Sequence, residues 1–201
     1  MLENFHPTKR LLVETAAALL EQKAATQISA EEVLEISGIS RGSMYHHFVD
    51  LDDLVETAQV WGYSKWVDGS IRFMYSFVIK AKNKDELRSS LRKLTEITQA
   101  DSSKSARAQR ALALAMCATN ERMASKLAPE IQRLTDAITD VTEEVKNKGL
   151  FKAEVDAHAL STFIQAYTLG KIVNDFNPDA VEEEQWVDFV MKIVEGTFIN
   201  G

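Results

Sequence analysis

Over residues 29–48 the chain reads SAEEVLEISGISRGSMYHHF, and its apolar positions fall into two short helical registers separated by a glycine. Val33 and Ile36 are expected on one face of the first, while Met44 and Phe48, one turn apart, face inward from the second. Ser29 and Glu32 have the S-x-x-E spacing of a capping box, so the first helix is predicted to begin near Ala30. Gly38 can adopt the positive φ that closes a helix, and Ser40 is placed to cap the next one. Two short helices joined by a glycine-containing turn constitute a helix-turn-helix, whose second helix fits the major groove of DNA. The polar face of that second helix carries Arg41, Ser43, Tyr45, His46 and His47.

The same 3.6-residue period covers most of the remaining chain. Residues 1–7 read as a short arm, and Thr8 as the cap of a first helix with the stripe Leu12, Ala16, Leu19, Leu20. Asp50 and Asp53 form a cap-like pair opening a long helix from about Leu51 to Trp66. A polar loop over residues 80–85 precedes the stripe Leu87, Leu91, Leu94, and a second polar stretch follows at 101–105. Residues 106–124 read as one Ala- and Met-rich helix, with Pro129 in the first turn of the next, whose stripe is Ile131, Leu134, Ile138, Val141, Val145. Gly149 suits its end, and two final helices are expected over about 156–174 and 182–198. No strand-rich segment is found, so the expected fold is all-α. A three-helix helix-turn-helix head over 1–50 is followed by a helical effector and dimerisation body over 51–201.

From Thr8 to Leu54 the sequence resembles the N-terminal region of the tetracycline-repressor (TetR) family. The residues that carry the resemblance are Ala16, Ala17, Leu20, Ser29, Val33, Gly38, Ile39, Ser40, Gly42, Tyr45, His47, Phe48 and Leu54, in register without a gap. Ala24, Leu34 and Leu51 depart from it, standing where the family usually has glycine, alanine and a phosphate-touching lysine. The resemblance implies a ligand-responsive transcriptional regulator, most often a repressor. Such a protein binds a palindromic double-stranded operator as a homodimer through its last two helices and is released by a small-molecule effector. It implies DNA contacts from Ser43 and Tyr45, phosphate contact from His47, and a fourth helix whose tilt relays ligand state.

Charge complicates that expectation. The formal net charge is −7, whereas duplex affinity comes largely from Lys and Arg neutralising phosphates. Up to Leu54 the basic residues are Lys9, Arg10, Lys23 and Arg41, outnumbered by acids that fall mostly in first turns of helices, where the dipole favours them. A head that has lost specific DNA binding and serves as a protein-interaction or small-molecule-carrier module is the alternative reading. The chemistry of the candidate face is otherwise suited to a groove. Arg41 can reach guanine O6 and N7 bidentately, His46 a base edge, and Ser29, with Ser40, can present hydroxyl and backbone N–H to phosphate. Gly42 would let DNA approach the helix backbone closely.

The body offers aromatics rather than catalytic groups. Trp61, Trp66, Phe73 and Phe77 crowd one interval, with Met116 and Tyr167 farther on. Apolar side chains at this spacing pack cores, or else line a mostly hydrophobic effector cavity. No glycine-rich phosphate loop, H-E-x-x-H or G-x-S-x-G is present, so no enzyme activity, metal or cofactor is expected. The single cysteine, Cys117, reads as a small core residue, and permits no internal disulfide, which fits a reducing cytoplasm. The apolar run over 11–20 is interrupted by Glu14 and lacks a cleavage pattern, and no stretch approaches the roughly 18 apolar residues of a membrane span. A cytoplasmic protein without membrane partners is expected.

Overall fold

The first helix, α1 (Pro7–Leu20), starts earlier than the Thr8 cap would allow. His6 is the cap: its Nδ1 accepts from the Thr8 N–H at 3.3 Å, and Pro7 occupies the first helical position, where its missing N–H costs nothing. The structure, a computed structural model, describes residues 5–199, so most of the expected arm lies outside the described residues. α2 (Ala30–Ser37) and α3 (Arg41–His47) follow the predicted bounds. Ser29 Oγ accepts from Glu32 N at 3.2 Å, and Gly38 closes α2 at φ 67°. Only half of the expected capping box forms, because the Glu32 carboxylate is taken by Lys23 Nζ at 2.5 and 2.6 Å.

Ile36 also departs from expectation, being 61% exposed while Val33 is fully buried. At about 100° per residue, the inward direction of α2 lies between Val33 and Leu34, and Leu34 rather than Ile36 joins the core. Met44 and Phe48 are buried as predicted, against Leu12, Val13 and Ala16 of α1 and Leu54 and Ala58 of α4 (Leu51–Phe73). α4 opens on a reciprocal pair, since Asp50 Oδ1 accepts from Asp53 N at 2.6 Å and Asp53 Oδ2 from Val49 N at 2.9 Å.

After α4 the chain makes a wider turn over Met74–Val78, then forms α5 (Lys84–Gln99), α6 (Lys104–Met116), α7 (Glu121–Asn147), α8 (Ala157–Gly170), α9 (Ile172–Asp175) and α10 (Glu183–Val194). Among the described residues there is no strand, and the fold is all-α. The single helix expected over 106–124 is two. α6 stops at Met116, and Asn120 caps α7 by accepting from Met123 N at 2.9 Å. Pro129 is therefore inside α7 and not in its first turn. Both final helices are shorter than expected, the first breaking after Gly170 and the second passing into a wider turn at Glu195–Ile199.

The chain divides into two compact units, Met1–Trp66 with Ala115–Glu130, and Val67–Leu114 with Ile131–Gly201. The core of the second contains the α7 stripe Leu134, Ile138, Val141 and Val145 with Leu87, Leu160, Val187 and Val190. Its buried charges gather at the end of α5. Arg107 holds Asp175 through two bonds of 2.6 and 2.7 Å and donates to the Thr98 carbonyl at 3.1 Å. Lys171 donates to the Gln99 carbonyl at 2.5 Å and to Asp101 at 2.8 Å. The last carbonyls of α5, which lack partners within the helix, are thus capped by buried cations that also suit the negative end of its dipole.

Candidate nucleic-acid interface

The surface of α3 follows from what lies beneath it. With Met44 fully buried and Phe48 3% exposed, the 3.6-residue period turns Arg41, Gly42, Tyr45 and His46 to the outside. Tyr45 is 47% exposed, Ser43 and His47 are half-buried, and the capping serines Ser29 and Ser40 are exposed. All eight candidate DNA-contact residues therefore lie on or beside the helix-turn-helix. Ser40 Oγ accepts from Ser43 N at 3.2 Å and lies 2.9 Å from Ser43 Oγ, which fixes the start of α3. A Cβ built on Gly42 would meet no atom within 4 Å, so the protein's own packing does not require glycine there.

Arg41 is not idle. Its guanidinium is ion-paired with Glu31 on α2, a bond that raises the Arg41 pKa. The Glu31 carboxyl is held below its ordinary value by a backbone hydrogen bond and then by Arg41. Arg10 and Lys23 likewise have carboxylate partners, Glu14 at 2.8 Å and Glu32. The Lys9 ammonium instead lies over two aromatic faces, 4.6 Å from the Phe5 centroid and 5.1 Å from that of Phe48.

Beside Lys9 stand three imidazoles. The His6 ring stacks on His47 at 5.3 Å, and His46 meets His47 edge-on at 5.2 Å. His47 is held below the usual imidazole value, first by partial burial and then by His46, His6 and Lys9. His6 carried no signal in the sequence, because its place beside His47 depends on α1 packing against α3.

A second cluster missed by sequence reading lies at the start of α4. Glu56, 2% exposed, accepts from Arg122 at 2.7 and 3.0 Å, Asn120 at 2.8 Å and Lys126 at 3.0 Å. Arg122 also reaches Asp50 at 3.0 Å, and Lys126 reaches Asp53 at 2.5 Å. Burial opposes the charge on Glu56, but these donors outweigh it and hold its carboxyl below the ordinary value.

Residues 12–58 match the profile of bacterial regulatory proteins of the tetR family. The head of the chain is of the TetR family. Solved structures share the TetR-family fold along nearly the whole length of the chain. A putative TetR-family transcriptional regulator from Mesorhizobium loti is 16% identical, with 96% of this chain and 97% of that one covered at a TM-score of 0.75. The reduced form of Escherichia coli NemR is 15% identical over 96% and 98%, at 0.71. The ketosteroid transcriptional regulator KstR2 of Mycobacterium tuberculosis is 19% identical over 98% of both chains, at 0.57. No curated protein matches the sequence.

The six effector candidates are not collected into one described cleft. Trp61 packs against the head's core with Lys65 over its ring at 4.0 Å, and Trp66 meets Tyr63 edge-on at 5.4 Å. Phe73 and Phe77 pair at 4.7 Å, Tyr167 lies 5.6 Å from Phe163, and Met116 is half-buried at the end of α6. A cleft of about 350 Å³ lined by Val155, Ala159, Leu160, Phe163 and Phe198 contains none of the six. Among the described residues no group of acidic, His and Cys side chains could hold a metal, and no helix is long and apolar enough to cross a membrane.

Proposed function

We propose that this TetR-family protein is a cytoplasmic repressor that binds a palindromic operator as a homodimer and is released by a small-molecule effector. The observation that carries the reading is the two-sided character of α3. Met44 and Phe48 anchor it to the core, while Arg41, Tyr45 and His46 are left to solvent around a glycine the fold does not need. One such helix reads only a few base pairs, so a second copy about 34 to 36 Å away in the next major-groove turn is part of the proposal. Exposed apolar side chains on and around the last helices, Phe163, Val173, Phe176 and Phe189, support pairing there.

Release requires an effector with differential affinity for the two states, roughly 5.5 kcal/mol to move occupancy from 99:1 to 1:99. Trp61, Trp66, Phe73, Phe77, Met116 and Tyr167 are the proposed effector contacts. The paired rings of Phe73 and Phe77, the latter 47% exposed, support this best, whereas Trp61 has the surroundings of a core residue.

The Arg41–Glu31 ion pair favours the second reading, a head without specific DNA binding, because it occupies the group best suited to read guanine. Selection of fragments from a random duplex pool at low salt separates the two. Enrichment of one palindrome is expected, and recovery of no motif would overturn the repressor reading.

A further inference from the structure

Three of the chain's four histidines meet in the head with Lys9, from two helices far apart in sequence. We infer that the His6–His47–His46 stack is a proton-linked phosphate site, so that the protein takes up a proton when it binds a duplex and binds more tightly as pH falls. The inference rests on the DNA-binding reading above and adds to it a dependence on acidity.

The geometry sets out why the stack is poised this way. Centroid separations of 5.3 and 5.2 Å bring the rings close enough for a charge on one to oppose a charge on the next. Lys9 adds a permanent positive charge from α1, and its effect on His47 is also repulsive. Most carboxylates of the neighbouring elements are committed to other cations. On α1, Glu14 pairs with Arg10; on α2, Glu31 pairs with Arg41 and Glu32 with Lys23, leaving Glu35 exposed. At the start of α4, Asp50 pairs with Arg122 and Asp53 with Lys126, while Asp52 is exposed. In the free protein the surroundings of His47 therefore oppose a positive charge on its ring. A phosphate brings the missing opposite charge and reverses that preference.

The proton has a defined destination. His6 Nδ1 accepts the Thr8 N–H that caps α1, so neutral His6 carries its own proton on Nε2. Protonating Nδ1 would break that cap and place a cation at the positive end of α1. The added proton is therefore assigned to His47, which stacks on His6 and meets His46 edge-on. Exposed His46 and half-buried His47 lie on the same short helix as Arg41 and Tyr45, at the edge of the face proposed to enter the groove.

The experiment is fluorescence anisotropy with a labelled duplex carrying the motif recovered by pool selection, from pH 5.5 to 7.5 at constant ionic strength. This window lies above ordinary carboxylate titration and spans that of imidazole. The wild-type Kd should tighten toward acid, with a slope approaching one proton, at most about tenfold per pH unit. A His46→Gln/His47→Gln variant, checked for fold by circular dichroism, should bind with a flattened pH profile, while His158→Gln on α8 should keep the wild-type slope. If the double variant fails to fold, histidine NMR titration of the wild-type protein decides instead: the His47 midpoint should rise when the duplex is added. A flat wild-type profile, an undiminished slope in a folded double variant, or an unmoved His47 midpoint would overturn proton linkage while leaving DNA binding intact. Absence of duplex binding at every pH would overturn both.

Discussion

Arg122 grips Glu56 with two guanidinium nitrogens, at 2.7 and 3.0 Å, and Glu56 is almost completely buried. The pair joins the start of α7 to the second turn of α4. Glu56→Gln keeps the shape of the side chain but removes the charge that Arg122 and Lys126 surround. It should lower the unfolding free energy by about 2 kcal/mol, as expected for hydrogen bonds to charged groups. Partly exposed Arg122 recovers some solvation, so the cost stays below that of a wholly buried pair. Urea denaturation followed by circular dichroism measures it.

The same cluster makes the head acid-sensitive. Asp50, Asp53 and Glu56 all titrate in the folded protein below their ordinary values of 3.8, 3.8 and 4.5. Groups lowered by folding bind fewer protons in the native state, so their stabilisation is complete above those ordinary values and is lost as pH falls through and below them. Thermal unfolding between pH 6 and pH 3 should therefore show a falling midpoint that begins near the carboxylate range, and Glu56→Gln should show a shallower fall.

Gly42 separates stability from recognition. Alanine is the better helix former by up to about 1 kcal/mol, and its methyl would meet nothing in the protein within 4 Å. Gly42→Ala should raise the melting temperature slightly while weakening duplex binding, because the added methyl meets only the DNA backbone. Equal or tighter binding in a gel-shift titration would remove the close-approach role.

Arg41 and Glu31 should have opposite effects. Arg41→Ala should weaken specific binding between about fivefold and a hundredfold, the range for loss of one bidentate base contact, without changing the oligomeric state. Glu31→Gln releases the guanidinium from its partner on α2 and should tighten binding severalfold. Competition between the two duplexes, specific and scrambled, distinguishes a base contact from general charge.

Pairing through the last helices is tested at Phe189, which is 57% exposed on α10. Phe189→Asp should convert a dimer to a monomer in sedimentation equilibrium with helix content unchanged, and operator affinity should fall with it. A wild-type monomer at micromolar concentration would contradict the proposed assembly.

Local chemistry explains what could be read without coordinates. Ser29, Gly38 and Ser40 set the bounds of α2 and α3 through bonds spanning three or four residues, and Met44 and Phe48 set the orientation of α3 through their spacing alone. What escaped was pairing over distance. Glu56 meets Arg122 across 66 positions and Arg107 meets Asp175 across 68, and neither partner advertises the other. The break between α6 and α7 escaped for a different reason, since the alanine-rich stretch contains no breaker and Pro129 suggested a later start than the Asn120 cap allows.

The buried cations at the end of α5 have one further consequence. Helix ends ordinarily fray, and their amides exchange with solvent well before those of the middle turns. Here Thr98 and Gln99 offer their carbonyls to Arg107 and Lys171, and the Gln99 side chain accepts from the Trp186 indole at 3.1 Å. Opening that last turn would strip partners from α6, from the residue that ends α8 and from α10 together, so deuterium should enter it as slowly as it enters the centre of the helix.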